Sequence, residues 1–343
     1  MEPRISRNDA DQTEEKILNT EEAEVAEHIR AHCRSRREYD GKDMTARERF
    51  HLTMSFGRPD RVPWLEEGLR DDVLRRWESE GLAPGADLGS IFHYDRRERI
   101  ELDLTPRPAI ALPEDWAQRV QRWRDRDHIL ELFVHRGLFL TMGVEAWASL
   151  ESVLYQIADH PDQVRRVLDE QAQYTVRLID RVLADVEVDC ASFSEPIGDT
   201  HGPMISPAMY RRVVLASYGP IIEALRRHGV RTIVWMTYAN ARVLLRDVLE
   251  AGFDCLWAME AESTDMDYRA LRHEFGKSLR LIGGIDLDVL LRDEEAIRRE
   301  IQEKVPPLLA EGGFIPLADG RVRASIPLHN YLAYRRALER ITT

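Results

Sequence analysis

VRTIVWMTYANARVLLRDVLEAGFDCLWAME, residues 230–260, contains one full repeat of the pattern that decides the fold. VRTIVWMTY (230–238) is a short β-rich run and ARVLLRDVLEAG (241–252) is an amphipathic helix closed by Gly252. FDCLWAME (253–260) is the next apolar run. Strand, helix, strand in about 30 residues is a βαβ unit, which requires a parallel sheet. Working outward, the rhythm continues in both directions. Upstream lie the strand VDCASFSE (188–195) and the helix SPAMYRRVVLASYGPIIEALRRHG (206–229), which opens on Ser-Pro and closes at Gly229. Downstream lie MDYRALRHEFG (266–276), LRLIGGID (279–286), a helix in 293–313, FIPLAD (314–319) and the closing helix HNYLAYRRALERI (329–341).

Nearer the start, RVPWLE (61–66) and HILELFVHRG (128–137) read as strands, and 150–184 reads as two helices broken near Pro161. Eight strands close a barrel, which places the remaining strand within residues 88–135. The expectation is an α/β protein, a (β/α)₈ TIM barrel over residues 44–343, with a polar N-terminal extension over 1–43. A doubly wound open sheet is the runner-up. It lacks the GxGxxG turn after an early strand that such folds use to hold dinucleotides.

Composition narrows the partners. The 343 residues carry a net charge of -13, against the basic face that nucleic acid or an anionic membrane demands. No window approaches the ~18 apolar residues of a membrane-spanning helix, and the opening MEPRISRNDADQTEEK has no apolar signal-peptide core. Three cysteines, Cys33, Cys190 and Cys255, have neither disulfide nor zinc-knuckle spacing. The expected setting is the cytoplasm and the expected partner a small molecule.

In a barrel of this kind, chemistry sits where strands end. Glu195 ends one strand, followed by a loop with His201; Tyr238 ends the next, with Asn240 just beyond. Glu260, Asp286 and Asp319 end the three that follow, and Arg321 lies past the last. The expected catalytic set is Glu195, His201, Tyr238 and Asp319. The expected substrate wall is His93, Trp235, Met236, Asn240, Glu260, Asp286 and Arg321. Asn240 and Asp286 also read as helix caps, Trp235 and Met236 also read as core, and Arg321 reads equally as a carboxylate fork or a surface ion pair.

TARERFHLTMSFGRPDRVPWLE (45–66), RWESEGLAP, IFHYD, GPMISPAMYRRVVLASYGPIIEALRRHG, LRLIGGID, VPPLLAEGGFIPLADGRV and HNYLAYRRAL resemble, in this order, segments of the uroporphyrinogen decarboxylase superfamily. The likeness runs from Met44 to the C-terminus and implies the same barrel. Within the superfamily the chain looks closest to the corrinoid-linked methyltransferases and O-demethylase-like members. True uroporphyrinogen decarboxylases carry an arginine-rich segment where this chain has the acidic PWLEEGLRDD. The resemblance therefore implies methyl transfer or demethylation, with a corrinoid protein as candidate partner and a homodimer as candidate assembly. The alternatives are a decarboxylase of a small carboxylated substrate and a non-catalytic binding protein. The metal-ligand positions of the methyltransferases fall on Met236, Tyr238 and Gly320, which are poor zinc donors. The implied metal site is degenerate, or rebuilt around Glu195 or His201. Glu195 matches a family acid.

Overall fold

The computed structural model describes residues 44–259 and 264–343; the polar extension 1–43 and the strand-end residue Glu260 lie outside them. Seven parallel strands form one curled sheet in strictly sequential order. They are β1 Arg97–Ile100, β2 Ile129–His135, β3 Cys190–Glu195, β4 Thr232–Thr237, β5 Cys255–Ala258, β6 Arg280–Ile285 and β7 Phe314–Ala318. Sequential parallel strands joined by helices are the (β/α)₈ arrangement, so the expected fold class holds, and β1 lies inside the 88–135 interval assigned to the missing strand.

The seam differs from expectation. RVPWLE forms no ladder strand; the eighth wall position is taken by an extended segment. It is tied to the residues flanking the sheet, through Asp95 N–H on the Trp64 carbonyl (2.9 Å) before β1 and one isolated parallel bridge, Leu69 to Val322, after β7. Pro63 has no N–H to give a ladder. Leu65 joins the inner apolar cluster, but Leu69, beyond Gly68, packs against the outer one, so a strand's alternation does not run through the segment.

Two apolar clusters divide the molecule. The inner one fills the barrel with Ile129, Cys190, Val234, Met236, Trp257 and Ile315, among others; the larger one lies between sheet and helices. Period-two alternation sorts each strand between them. In β3, Cys190 faces inward while Ala191 and Phe193 face the helices. The bottom is plugged by α1 (Ala46–Met54), started by a Thr45–Glu48 capping box and inserting Phe50 and Met54 into the inner cluster. Asp189, just before β3, anchors this end: it accepts from Arg47 (2.7 Å), His51 (2.8 Å), Arg126 (3.1 Å) and the Leu130 amide (2.8 Å). Burial raises its pKa, but these donors outweigh burial and hold it at about 2.

The helix after β3 is not a regular α-helix. A π-turn, Tyr210–Leu215, precedes α2 (Ala216–Arg227). The chain closes with α3 (Leu328–Thr342), which packs Tyr331 and Tyr334 into the outer core. Among the described residues no helix is long and apolar enough to cross a membrane.

Candidate active site in the barrel lumen

β1 reads RERI, and its alternation puts Arg97 and Arg99 on the same face, toward the lumen. β2 reads ILELFVH, with Glu131 as the one charge inside an otherwise apolar run until its final His135. Glu131 is 2% exposed and is shared by both arginines: Arg97 Nη1 donates to Oε2 at 2.9 Å and Arg99 Nε lies 2.9 Å from Oε1. The Ser192 hydroxyl from β3 donates to the same carboxylate. Burial pushes the Glu131 pKa up, yet Arg97 and Arg99 more than offset it, and the net direction is down. Glu131 is thus an anion, and it neutralises one of two guanidiniums.

The arginines stand over aromatic rings. Arg97 stands 4.7 Å from the centre of the Trp257 ring and Arg99 5.6 Å from that of Phe133, distances at which the ring face attracts a cation. Glu67 enters from the eighth segment, its side chain only 4% exposed. Burial lifts its carboxyl to about 7, against the opposing pull of Arg97 and Arg99. Its Oε1 is 3.9 Å from Arg321 at the rim. Its Oε2 and the Trp257 indole N–H are buried with no hydrogen-bond partner. Tyr238 completes this end, its side chain hydrogen-bonded to that of Ser194 and within the fields of Glu67, Arg321 and Arg99.

A lumen with two arginines, one ionised carboxylate and one carboxyl that is protonated below about pH 7 has a surplus positive charge. Unpaired buried polar groups are costly, roughly 1–3 kcal/mol each. Two of them facing the same lumen, one a donor and one a carboxyl oxygen, suit a ligand with complementary groups.

The residues expected from the sequence are dispersed. Met236 and Tyr238 face the lumen and Arg321 stands at its rim. Glu195 does not face it: it points outward from β3 and is fully buried, accepting from the Leu138 amide (2.9 Å), Tyr218 (2.5 Å) and Tyr210 (3.2 Å). Burial lifts this carboxyl too, to about 7. Gly137, at φ +86°, passes so close that a Cβ there would stand 2.8 Å from Glu195 Oε1. Trp235 also faces outward, its indole donating to Tyr210 at 3.1 Å, so it is core rather than ligand wall.

His201 is 91% exposed at the tip of a two-residue hairpin, against Asp199. His93 lies outside the barrel, 3.1 Å from Glu339 of α3. Neither ring is placed toward the lumen. Asp286 accepts from the Asp288 amide and Asp319 from the Leu287 amide, both at 2.8 Å, so both fasten the turn after β6. Asn240 bridges loops, donating to Asp265 at 3.1 Å.

The sequence reading missed Glu67, Arg97, Arg99 and Glu131. Its available signals were the i, i+2 arginines of RERI and a lone acid inside an apolar strand. Zinc does not fit at Met236, Tyr238 and Gly320, which supply a thioether, a phenol and no side chain. Glu195 and His201 stand in separate environments, one sealed behind β3 and one in solvent. Among the described residues no group of three or more His, Cys, Asp or Glu side chains is arranged to hold a metal ion.

The model of the uroporphyrinogen decarboxylase (URO-D) family matches residues 145–316. A curated uroporphyrinogen decarboxylase from Ralstonia pickettii is 22% identical over 182 residues, 52% of this chain and 45% of that protein. One from Pseudomonas entomophila is 30% identical over 149 residues, 42% of this chain and 38% of that protein. The matched stretch thus spans less than half the length of either relative. A solved methyltransferase from Methanosarcina mazei superposes with a TM-score of 0.61 at 14% identity, covering 88% of this chain and 100% of that one. The family match covers β3 to β6 and most of β7, and leaves Glu67, Arg97, Arg99 and Glu131 on its N-terminal side. With half the chain matched and the barrel in sequential order, the chain belongs to the uroporphyrinogen decarboxylase (URO-D) family.

Proposed function

We propose that the chain is a carboxy-lyase that releases CO₂ from a small carboxylated molecule bound in the lumen. The observation that carries this reading is the pairing of a cationic surplus at Arg97 and Arg99 with a buried carboxyl, Glu67, that keeps its proton up to about pH 7. Decarboxylation needs both. The C–C bond breaks, its electron pair stays on carbon and CO₂ leaves. Negative charge therefore moves from the leaving carboxylate into the carbon framework. Arg97 and Arg99 accelerate the step only if they meet that displaced charge better than the original carboxylate. The carbon then takes the Glu67 proton, and Glu67 is reprotonated from water, so one proton is consumed for each CO₂ released. Tyr238, Trp257 and Arg321 orient the molecule.

Methyl transfer has less support. The likeness to the Methanosarcina protein is one of fold, and the lumen donors are not those of a metal thiolate. The test is CO₂ release from a panel of carboxylic acids, with uroporphyrinogen included because the curated relatives carry that name, in the wild type and in Glu67→Gln. Release that depends on Glu67 supports the reading. Release unaffected by Glu67→Gln overturns it, and so does tight lumen binding of an acid with no release, which is the behaviour of a binding protein.

A further inference from the structure

Glu67 is carried by the one wall element without a ladder, and something else must fix its position. On one side the wall segment is tied at Trp64, on the other at Leu69, and between them Gly68 takes φ +126°, a conformation that imposes no direction of its own. The remaining tie is Glu66. Its Oε1 accepts the Glu67 N–H at 2.9 Å. Its Oε2 accepts the Tyr331 hydroxyl at 2.7 Å, from α3 on the outer side of the wall. Its carbonyl accepts Arg97 Nη2 at 3.3 Å, on the inner side. Tyr331 in turn meets the Tyr94 hydroxyl, and the buried Arg335 guanidinium stands 4.8 Å from the centre of the Tyr94 ring. One residue therefore links the outer helix, the backbone of the lumen acid and a lumen arginine.

We infer that Glu66 is a positioning residue: by bridging Tyr331 to the Glu67 amide it sets where the Glu67 carboxyl stands, without itself reaching the lumen. This rests on the reading of Glu67 as the proton donor. Burial raises the carboxyl pKa of Glu66 itself, and the link is argued from its hydrogen-bond geometry.

The test reads Glu67 directly, by ¹³C NMR of protein labelled at the glutamate side-chain carboxyl. The Glu67 resonance is the one lost in Glu67→Gln, and Glu195→Gln identifies the other carboxyl that titrates near 7. The charges facing Glu67 are Arg97 and Arg99 of β1, Glu131 of β2, Arg321 after β7 and the Tyr238 hydroxyl after β4; all stay in place. Glu66→Met removes the tether. The Glu67 midpoint is then expected to fall by at least about one pH unit toward the ordinary carboxylate range, as the side chain relaxes toward solvent and the arginines.

Glu66→Gln keeps an acceptor for the Glu67 amide and should hold the midpoint where it was. A midpoint unmoved in Glu66→Met overturns the inference. An equal fall in both variants also overturns it, because the effect would then be one of charge. If Glu66→Met does not fold, Tyr331→Phe decides: a fall supports the bridge and an unchanged midpoint overturns it. None of these readouts needs turnover, so a chain that releases no CO₂ but shows the expected midpoints refutes the reaction and leaves the positioning role standing.

Discussion

Glu67 and Glu195 are both sealed from water and both lifted to about 7, yet they stand on opposite faces of the barrel wall. Burial is the largest cause at each, so the shared value reflects a shared dry surrounding. What separates them is the rest of the environment. Glu195 accepts three hydrogen bonds, from Leu138, Tyr210 and Tyr218, and the Tyr218 ring packs against Phe193. Glu67 has an oxygen with no partner and faces Arg97, Arg99 and Arg321. A perturbed carboxyl is a sign of function only when its hydrogen bonding is incomplete and its position open to a ligand. Glu195 fails that criterion and Glu67 meets it.

The largest expected effect follows from that difference. Glu67→Gln should lower CO₂ release by roughly 10² to 10⁴ with little change in affinity, the usual loss for a general acid. Glu195→Gln should leave turnover of the folded protein within about threefold of wild type. Steady-state rates of the two variants side by side check this, and a reversed order would return the acid to Glu195. The wild-type rate should also fall about tenfold per pH unit above about 7, as Glu67 loses its proton.

Next in size is Glu131→Leu. It leaves the partly buried Arg97 and Arg99 without their shared anion, and breaking a buried pair costs up to about 3–5 kcal/mol. Urea denaturation should show that loss; a neutral result would mean that water reaches the arginines freely.

The third effect is on stability and pH. A carboxyl whose pKa is higher folded than unfolded binds its proton more tightly in the folded state. Its stabilising contribution is complete below the unfolded value, the ordinary 4.5, and is lost as pH rises through 7. At roughly 1.4 kcal/mol per pH unit, Glu195 accounts for a decline of roughly 3 kcal/mol between pH 4.5 and 8. Glu195→Gln should remove that part of the slope in denaturation curves measured across this range, leaving the Glu67 part. An unchanged slope would show that the Glu195 pocket is wet. Smallest of all, His201→Ala should leave both turnover and melting temperature unchanged, since its ring is in solvent beside Asp199.

How much of this was legible beforehand depended on the kind of signal. Regular βα alternation from Val188 onward fixed the barrel, because strand and helix periods are written in apolar spacing. Strand ends were located well, but strand faces were not applied to the residues at those ends. Parity sends Ser192 and Ser194 inward and Glu195 outward, and the same parity sends Trp235 outward and Met236 inward. His201 and His93 drew attention as histidines, and residue type cannot tell a solvent-facing loop from a lumen. The arginines of RERI stood in a four-residue strand inside a polar stretch, too short for periodicity to separate from loop. Glu67 lay just past RVPWLE, a run that looked like an ordinary strand and is extended without being laddered.

That missing ladder has a consequence for how the lumen is reached. Elsewhere in the barrel, opening the wall means breaking a run of parallel hydrogen bonds between neighbouring strands. The eighth position has no such run: it is held by one bridge, by Trp64 on Asp95 and Thr342, and by the Glu66 contacts with Tyr331 and Arg97. Local opening favours elements with few such bonds. Amide exchange with deuterium should therefore be fastest, among the wall elements, between Leu65 and Leu69, and the acid that faces the lumen rides on the stave that can leave the cask.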